Sequence, residues 1–221
     1  MTMRSDRDRT QAVSIPPIGL EGMLALPAQD AKGIILFAHG SGSGRFSPRN
    51  NFVAGALREV GLATLLFDLL TESEAADRRN VFDIQLLGER LLDATAWVRD
   101  FEATRQLRIG YFGASTGAAA ALVAAAQPGS GIAAIVSRGG RPDLADPLLS
   151  KVKAPTLLIV GGDDLDVLSL NQQALRHLQC EAKLAVVPGA THLFEEAGTL
   201  EAVVDLARRW FIDHLRPAVH D

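Results

Sequence analysis

Leu107-Arg108-Ile109-Gly110-Tyr111-Phe112-Gly113-Ala114-Ser115-Thr116-Gly117-Ala118-Ala119-Ala120-Ala121-Leu122-Val123-Ala124-Ala125-Ala126 is the stretch whose reading decides the fold. A short apolar run reads as a buried strand, and the alanines after Gly117 read as a helix, because alanine gives up least on entering one. Ser115 then falls on a strand-to-helix turn with its hydroxyl pushed outward. So sharp a turn brings strand and helix backbones together, and glycine on either side of the serine supplies space and permissive dihedrals. The pattern is short and the chain holds 20 glycines. The remaining sequence must therefore decide between a nucleophile and a plain loop serine.

Working outward, continuous apolar runs at Gly33 to Ala38, Ala63 to Phe67, Leu107 to Phe112, Ile132 to Ser137, Thr156 to Val160 and Lys183 to Val187 predict strands. Runs without alternation are covered on both faces. Between them lie helical patterns. Ser47-Pro48 is an N-cap with proline at the first helical position, followed by Phe52, Ala56, Leu57 and Val60 until Gly61. Ile84, Leu87, Leu91, Ala94, Val98 and Phe101 step along a long amphipathic helix, Ser169 to Leu178 is helical, and Leu200 to Leu215 closes the chain. Asp68 to Asn80 reads as a polar surface connection. Ala12 to Ile15 and Leu20 to Leu26, separated by Pro16-Pro17 and Gly19, predict an antiparallel hairpin at a sheet edge.

Strands alternating with helices predict an α/β protein, a mostly parallel central sheet with helices on both faces and ligands at the carboxyl ends of the strands. With 221 residues and 48% hydrophobic content, one domain over residues 12–215 is expected, flanked by polar tails at 1–11 and 216–221. The net charge is −4 and the 22 basic residues are scattered, so no footprint for nucleic acid is seen. No apolar stretch has the length of a membrane span, and the charged N-terminus has no signal-peptide core. The lone Cys180 has no partner for an internal disulfide and suggests a reducing, cytoplasmic setting.

A serine needs a base within reach and a carboxylate to orient that base. Asp164 follows the strand Thr156 to Val160 and His192 follows Lys183 to Val187, so both fall past strand carboxyl ends, on the edge where Ser115 stands. Taken with His39-Gly40, Gly113-Ala114-Ser115-Thr116-Gly117, Gly161-Gly162-Asp163-Asp164 and Gly189-Ala190-Thr191-His192, the chain resembles an α/β-hydrolase of the dienelactone hydrolase-like group. The resemblance runs from about Gly33 to Leu215. It implies Ser115 as nucleophile, His192 as base and then acid, and Asp164 as orienting carboxylate, with Asp166 the fallback. It also implies an oxyanion hole made by the backbone N–H groups of Thr116 and Ser41. One departure is that dienelactone hydrolase proper carries cysteine where this chain has Ser115, so that enzyme's substrate does not transfer with the fold.

Other residues carry a plainer reading beside a functional one. His39 suits a structural role in the turn, His177 and His214 lie in helices, and His220 lies in the tail. Asp163, Asp164 and Asp166 crowd one loop without the further ligands or length of a calcium motif, so no metal is expected. The loop from Gly40 to Arg45 fits neither the phosphate-binding nor the dinucleotide-binding glycine template. Arg45, Arg138 and Arg141 are read as loop residues at the sheet's carboxyl edge. They either hold a substrate carboxylate or pin the loops through Asp68, Asp143 or Asp146.

Only Arg138 to Ala154 separates two strands where related folds insert a lid, so no cap domain and an open, shallow site are expected. The resulting expectation is a serine hydrolase of small carboxylic esters, lactones or thioesters, with no cofactor, acting on a small-molecule substrate. A homo-oligomer is left open. The alternative is a non-catalytic member of the fold that binds a ligand or partner.

Overall fold

The computed structural model describes residues 9–215. Of the expected tails at 1–11 and 216–221, residues 1–8 and 216–221, with His220, lie outside them, and 9–11 belong to the first strand rather than to a tail. Strands β1 (Arg9–Ile15) and β2 (Leu20–Leu26) form the antiparallel hairpin, which begins three residues earlier than the apolar pattern suggests. Then come β3 (Ile34–Ala38), α1 (Pro48–Glu59), β4 (Ala63–Phe67), the short helices α2 (Glu72–Ala75) and α3 (Arg78–Val81), and α4 (Ile84–Asp100). The chain continues through β5 (Ile109–Ala114), α5 (Thr116–Ala125), β6 (Ala134–Arg138), β7 (Thr156–Gly161), α6 (Leu165–His177), β8 (Ala182–Val187) and α7 (Thr199–His214).

The eight strands form one sheet in the order β1-β2-β4-β3-β5-β6-β7-β8. Strands β3 to β8 are parallel; β2 pairs antiparallel with β4 and carries β1 as the edge. β5, which leads to Ser115, runs beside β3 and β6 in the middle of the sheet. It is covered on both faces, as its unbroken apolar run predicts.

One face carries α4, α5 and α6, with Leu87, Leu91, Val98 and Leu122 in its core; the other carries α1 and α7, with Val53, Leu57, Trp210 and Phe211. Each fully buried leucine or valine contributes about 1.5–3 kcal/mol. α5 is buried on every side. Its alanines let the helix lie flat on the sheet, and Gly88 of α4 meets it so closely that a Cβ there would stand 2.9 Å from Val123 Cγ1.

Helical regions differ from the sequence reading at three places. The connection after Asp68 contains α2 and α3, because Thr71 and Glu74 form a reciprocal capping box and Asp77 caps the next turn. α6 starts at Leu165, four residues before Ser169, with Asp164 at its N-cap position and Asp166 in its first turn. The inward face of α1 is Asn50, Val53, Ala54 and Leu57, while Phe52 is exposed. The expected stripe through Phe52 was misplaced because a polar residue, Asn50, occupies the buried face.

Candidate active site

The elbow begins with backbone crowding. A Cβ on Gly113 would lie 2.4 Å from Ala118 Cα, and one on Gly117 would lie 2.1 Å from the Ala38 carbonyl oxygen. Neither position accepts a larger residue without moving backbone. Between them Ser115 takes φ 50° and ψ −120°, which costs a non-glycine residue about 1–3 kcal/mol. Neighbouring backbone holds the strained residue on both sides: Ser115 N–H donates to Arg138 O at 3.2 Å, and Arg141 N–H donates to Ser115 O at 3.2 Å.

The turn after β3 lies directly against the elbow. A Cβ on Gly40 would stand 3.0 Å from Ser115 Cβ and 3.1 Å from Ala114 O, so a larger residue there would press on the elbow. His39 beside it is fixed in one tautomer, with Nε2 accepting from Leu69 N–H at 3.0 Å and Nδ1 donating to Gly40 O at 3.0 Å. Burial pushes its pKa below the usual histidine value, so it stays neutral. These bonds are the structural role expected for it.

Ser41 and Thr116, the two expected oxyanion donors, are joined to each other. Ser41 N–H donates to Thr116 Oγ1 at 3.0 Å, tying the β3 turn to the first residue of α5. The Thr116 side chain was not singled out from the sequence, which gave only its backbone N–H a role.

Asp164 and His192 meet through another close backbone approach. Gly161 has no room for a Cβ, which would lie 2.3 Å from Ala190 O, and Asp163 N–H donates to Ala190 O at 3.0 Å. The loops after β7 and β8 are thereby held together. His192 Nδ1 lies 2.7 Å from Asp164 Oδ2, with the carboxylate side chain 14% exposed and the imidazole 39%. A buried acid beside a half-open ring leaves Nε2 as the nitrogen for a reacting group. Asp166 stands in the first turn of α6, and among the described residues no group of three or more metal-ligating side chains gathers.

A groove of about 880 Å³ opens beside the β3 turn, with His39, Ser41, Phe46, Arg49 and Leu70 among its walls. The two side chains expected to bind substrate or pin loops in Arg45 and Arg141 both pin loops. Arg45 pairs with Asp68 and Glu21, and Arg141 grips Asp143 through two bonds of 2.8 and 2.7 Å.

Arg138 differs from the sequence reading. β6 runs one residue beyond Ser137, so Arg138 ends a strand and is 8% exposed, with Phe194's ring 5.8 Å from its guanidinium carbon. Arg49, which sequence reasoning passed over, is in the first turn of α1 and pairs with Glu195 at 3.0 Å. His177 contacts Asp146, and His214 contacts Trp210 O and Glu181, all away from this edge.

A mostly parallel eight-stranded sheet, a strained serine at its central strand-to-helix turn, and only short 3-10 turns between β6 and β7 define an α/β-hydrolase without an inserted cap. A model of the dienelactone hydrolase family matches residues 20–209, and the chain belongs to that family of hydrolases. It is similar to a dienelactone hydrolase of Anabaena variabilis, whose crystal structure shares 53% identity and a TM-score of 0.90, covering 95% of this chain and 99% of that one. A described serine hydrolase without lid from Xanthomonas campestris, 21% identical over 99% of this chain and 100% of its own, shares the fold with a TM-score of 0.75.

Two Mycobacterium tuberculosis relatives provisionally named phosphoribosyl transferase are 57% identical over 209 residues. That match covers 95% of this chain and 47% of each relative, so the chain spans about half the length of the curated relatives it matches. No helix among the described residues is long and apolar enough to cross a membrane.

Proposed function

We propose that the protein is a serine hydrolase that cleaves small carboxylic esters, or lactones or thioesters, through an acyl-enzyme. The contact of 2.7 Å between His192 Nδ1 and Asp164 Oδ2, on the sheet edge where Ser115 turns, is the observation that carries this reading. In the first half-reaction His192 Nε2 takes the Ser115 hydroxyl proton as the oxygen attacks the ester carbonyl. The tetrahedral oxyanion is received by the N–H of Thr116 and by that of Ser41, which exchanges its bond to Thr116 Oγ1 for the oxyanion. Collapse expels the alcohol, which takes the proton from His192, and leaves the acyl group on Ser115. Water then attacks that ester with its proton going to Nε2, and the acid departs as Ser115 regains a proton. Asp164 keeps its bond to Nδ1 and stabilises the imidazolium.

No cofactor enters this scheme. The substrate is a soluble small molecule, and the lone Cys180 supports a reducing, cytoplasmic setting for a single domain that begins with β1 at Arg9. The phosphoribosyl transferase name belongs to proteins about twice as long. Ser115, His192 and Asp164, read as nucleophile, base and orienting acid, support hydrolysis for this chain. Hydrolysis of p-nitrophenyl acetate tests the reading: turnover should appear in the wild type and vanish in His192→Ala, and equal turnover in both would overturn it.

A further inference from the structure

Asn171 is a fully buried polar side chain on α6. Its NH₂ donates to Val167 O at 2.8 Å, one turn back in the same helix, and to Gly140 O at 2.9 Å, 31 positions away in the turn after β6. Two carbonyl acceptors fix which way the amide faces. Its Oδ1 is then buried without a partner. An unpaired buried oxygen is costly, and an apolar side chain of similar shape would avoid it, so the amide is explained by what its NH₂ holds.

The turn it holds, Arg138 to Arg141, touches both Ser115 and His192. On the serine side, Arg138 O accepts the Ser115 N–H and the Arg141 N–H donates to Ser115 O, each at 3.2 Å. On the histidine side, Gly139 has φ 52° and lies against the imidazole: a Cβ there would stand 3.5 Å from His192 Nδ1 and 3.2 Å from His192 O. Gly140 is wedged between, where a Cβ would meet Ala118 Cβ at 2.6 Å and Ser137 Oγ at 2.0 Å. The position of one short turn therefore bears on both partners of the proton transfer. The other end of the connection reaches the third member. Asp164 stands at the N-cap position of α6, and Asn171 lies two turns further on, on the buried face it shares with Val167 and Ala174.

We infer that Asn171 is a positioning residue for the proposed reaction: through Gly140 O it holds the turn from Arg138 to Arg141 in place, and so sets the approach of His192 Nε2 to the Ser115 hydroxyl. The inference rests on the serine-hydrolase reading. Asn171 is not itself one of the reacting groups; it acts through the backbone of Gly139, Gly140 and Arg141. Proton transfer is sensitive to such support, since a displacement of about 1 Å that originates away from the chemistry can cost about 10²-fold in rate.

The test follows p-nitrophenyl acetate hydrolysis, fluorophosphonate labelling of Ser115 and thermal melts in parallel. Asn171→Leu removes the donor and the unpaired oxygen together. Its kcat should fall by about 10- to 100-fold with KM within about twofold and little change in Tm, and labelling of Ser115 should slow by a similar factor. Asn171→Ser, which keeps a hydroxyl for Val167 O but is too short for Gly140 O, should lose kcat likewise and serves if the leucine variant fails to fold. Gly139→Ala presses on His192 from the same turn, so the double variant with Asn171→Leu should lose less than the product of the two single losses. Thr156→Val, which removes a buried hydroxyl bonded to Ala154 O at the start of β7, should lower Tm and leave kcat unchanged. Wild-type kcat in both Asn171→Leu and Asn171→Ser, or a fall in Tm alone as in Thr156→Val, would overturn the positioning role while leaving the hydrolase reading intact. A wild-type protein that neither hydrolyses the ester nor takes the label would sink the hydrolase reading and the positioning role with it.

Discussion

His192 Nδ1 lies 2.7 Å from Asp164 Oδ2, although the two residues stand in different loops 28 positions apart. The bond fixes the ring's orientation and its tautomer, with Nδ1–H toward the acid and Nε2 free to accept a proton. Asp164→Asn would keep the shape while offering the wrong partner to Nδ1. Its kcat on p-nitrophenyl acetate should fall by about 10³- to 10⁴-fold with little change in Tm. Steady-state kinetics beside a thermal melt check both halves of that statement.

The Ser41 N–H bond to Thr116 Oγ1 ties the β3 turn to the first residue of α5, the two segments that carry the proposed oxyanion donors. Thr116→Val has nearly the same volume and no acceptor, so it leaves the N–H unpaired and the β3 turn less firmly placed. The expected result is a loss of about tenfold or more in kcat with a smaller change in KM. Thr116→Ser, which keeps the hydroxyl, should stay within about threefold. Equal loss in the two variants would mean that the methyl group, rather than the bond, matters.

Gly117→Ala tests the close approach that creates the elbow. Its Cβ would fall 2.1 Å from Ala38 O, a backbone atom of the central sheet that has no room to withdraw. Overpacking of this severity should destabilise the fold by about 3 kcal/mol or more, read as a shift of the urea midpoint.

His39 makes stability depend on pH in a stated direction. Its pKa in the folded protein lies below the unfolded value of 6.5, so the unfolded chain binds the extra proton first. Its contribution is complete above pH 6.5 and is lost as pH falls from 6.5 through the folded pKa. The Tm advantage of wild type over His39→Gln should therefore be largest near pH 7.5 and shrink toward pH 5.

With only two short 3-10 turns between β6 and β7, no inserted cap covers a long acyl chain among the described residues. Across p-nitrophenyl esters of rising acyl length, kcat/KM should peak at short chains and drop beyond them. Best activity on long chains would contradict the open-site reading.

Much of this arrangement was legible in the sequence for physical reasons. Buried parallel strands leave unbroken apolar runs, and an elbow needs Gly113 and Gly117, so Ser115 could be placed on the right edge before any coordinates. Asp164 and His192 followed because each lies in a loop just past a strand that ends on that edge. Arg138 was read as a loop residue because a strand boundary one residue further along decides whether its side chain faces solvent or the core. Arg49 carried no signal, since its partner is Glu195, 146 positions away in the chain. Phe52 misled the reading of α1, where a buried asparagine displaced it from the inward face. The capping box of Thr71 and Glu74 was visible in the sequence and shows that a polar run can still form short helices.

The central claim is that Ser115 is the nucleophile, and covalent labelling by a fluorophosphonate probe tests it most directly. Intact-protein and peptide mass spectrometry should find one adduct on Ser115 in the wild type, none in Ser115→Ala, and slowed labelling in His192→Ala. A wild-type protein that hydrolyses p-nitrophenyl acetate yet leaves Ser115 unlabelled, or a Ser115→Ala variant that keeps its turnover, would contradict the account.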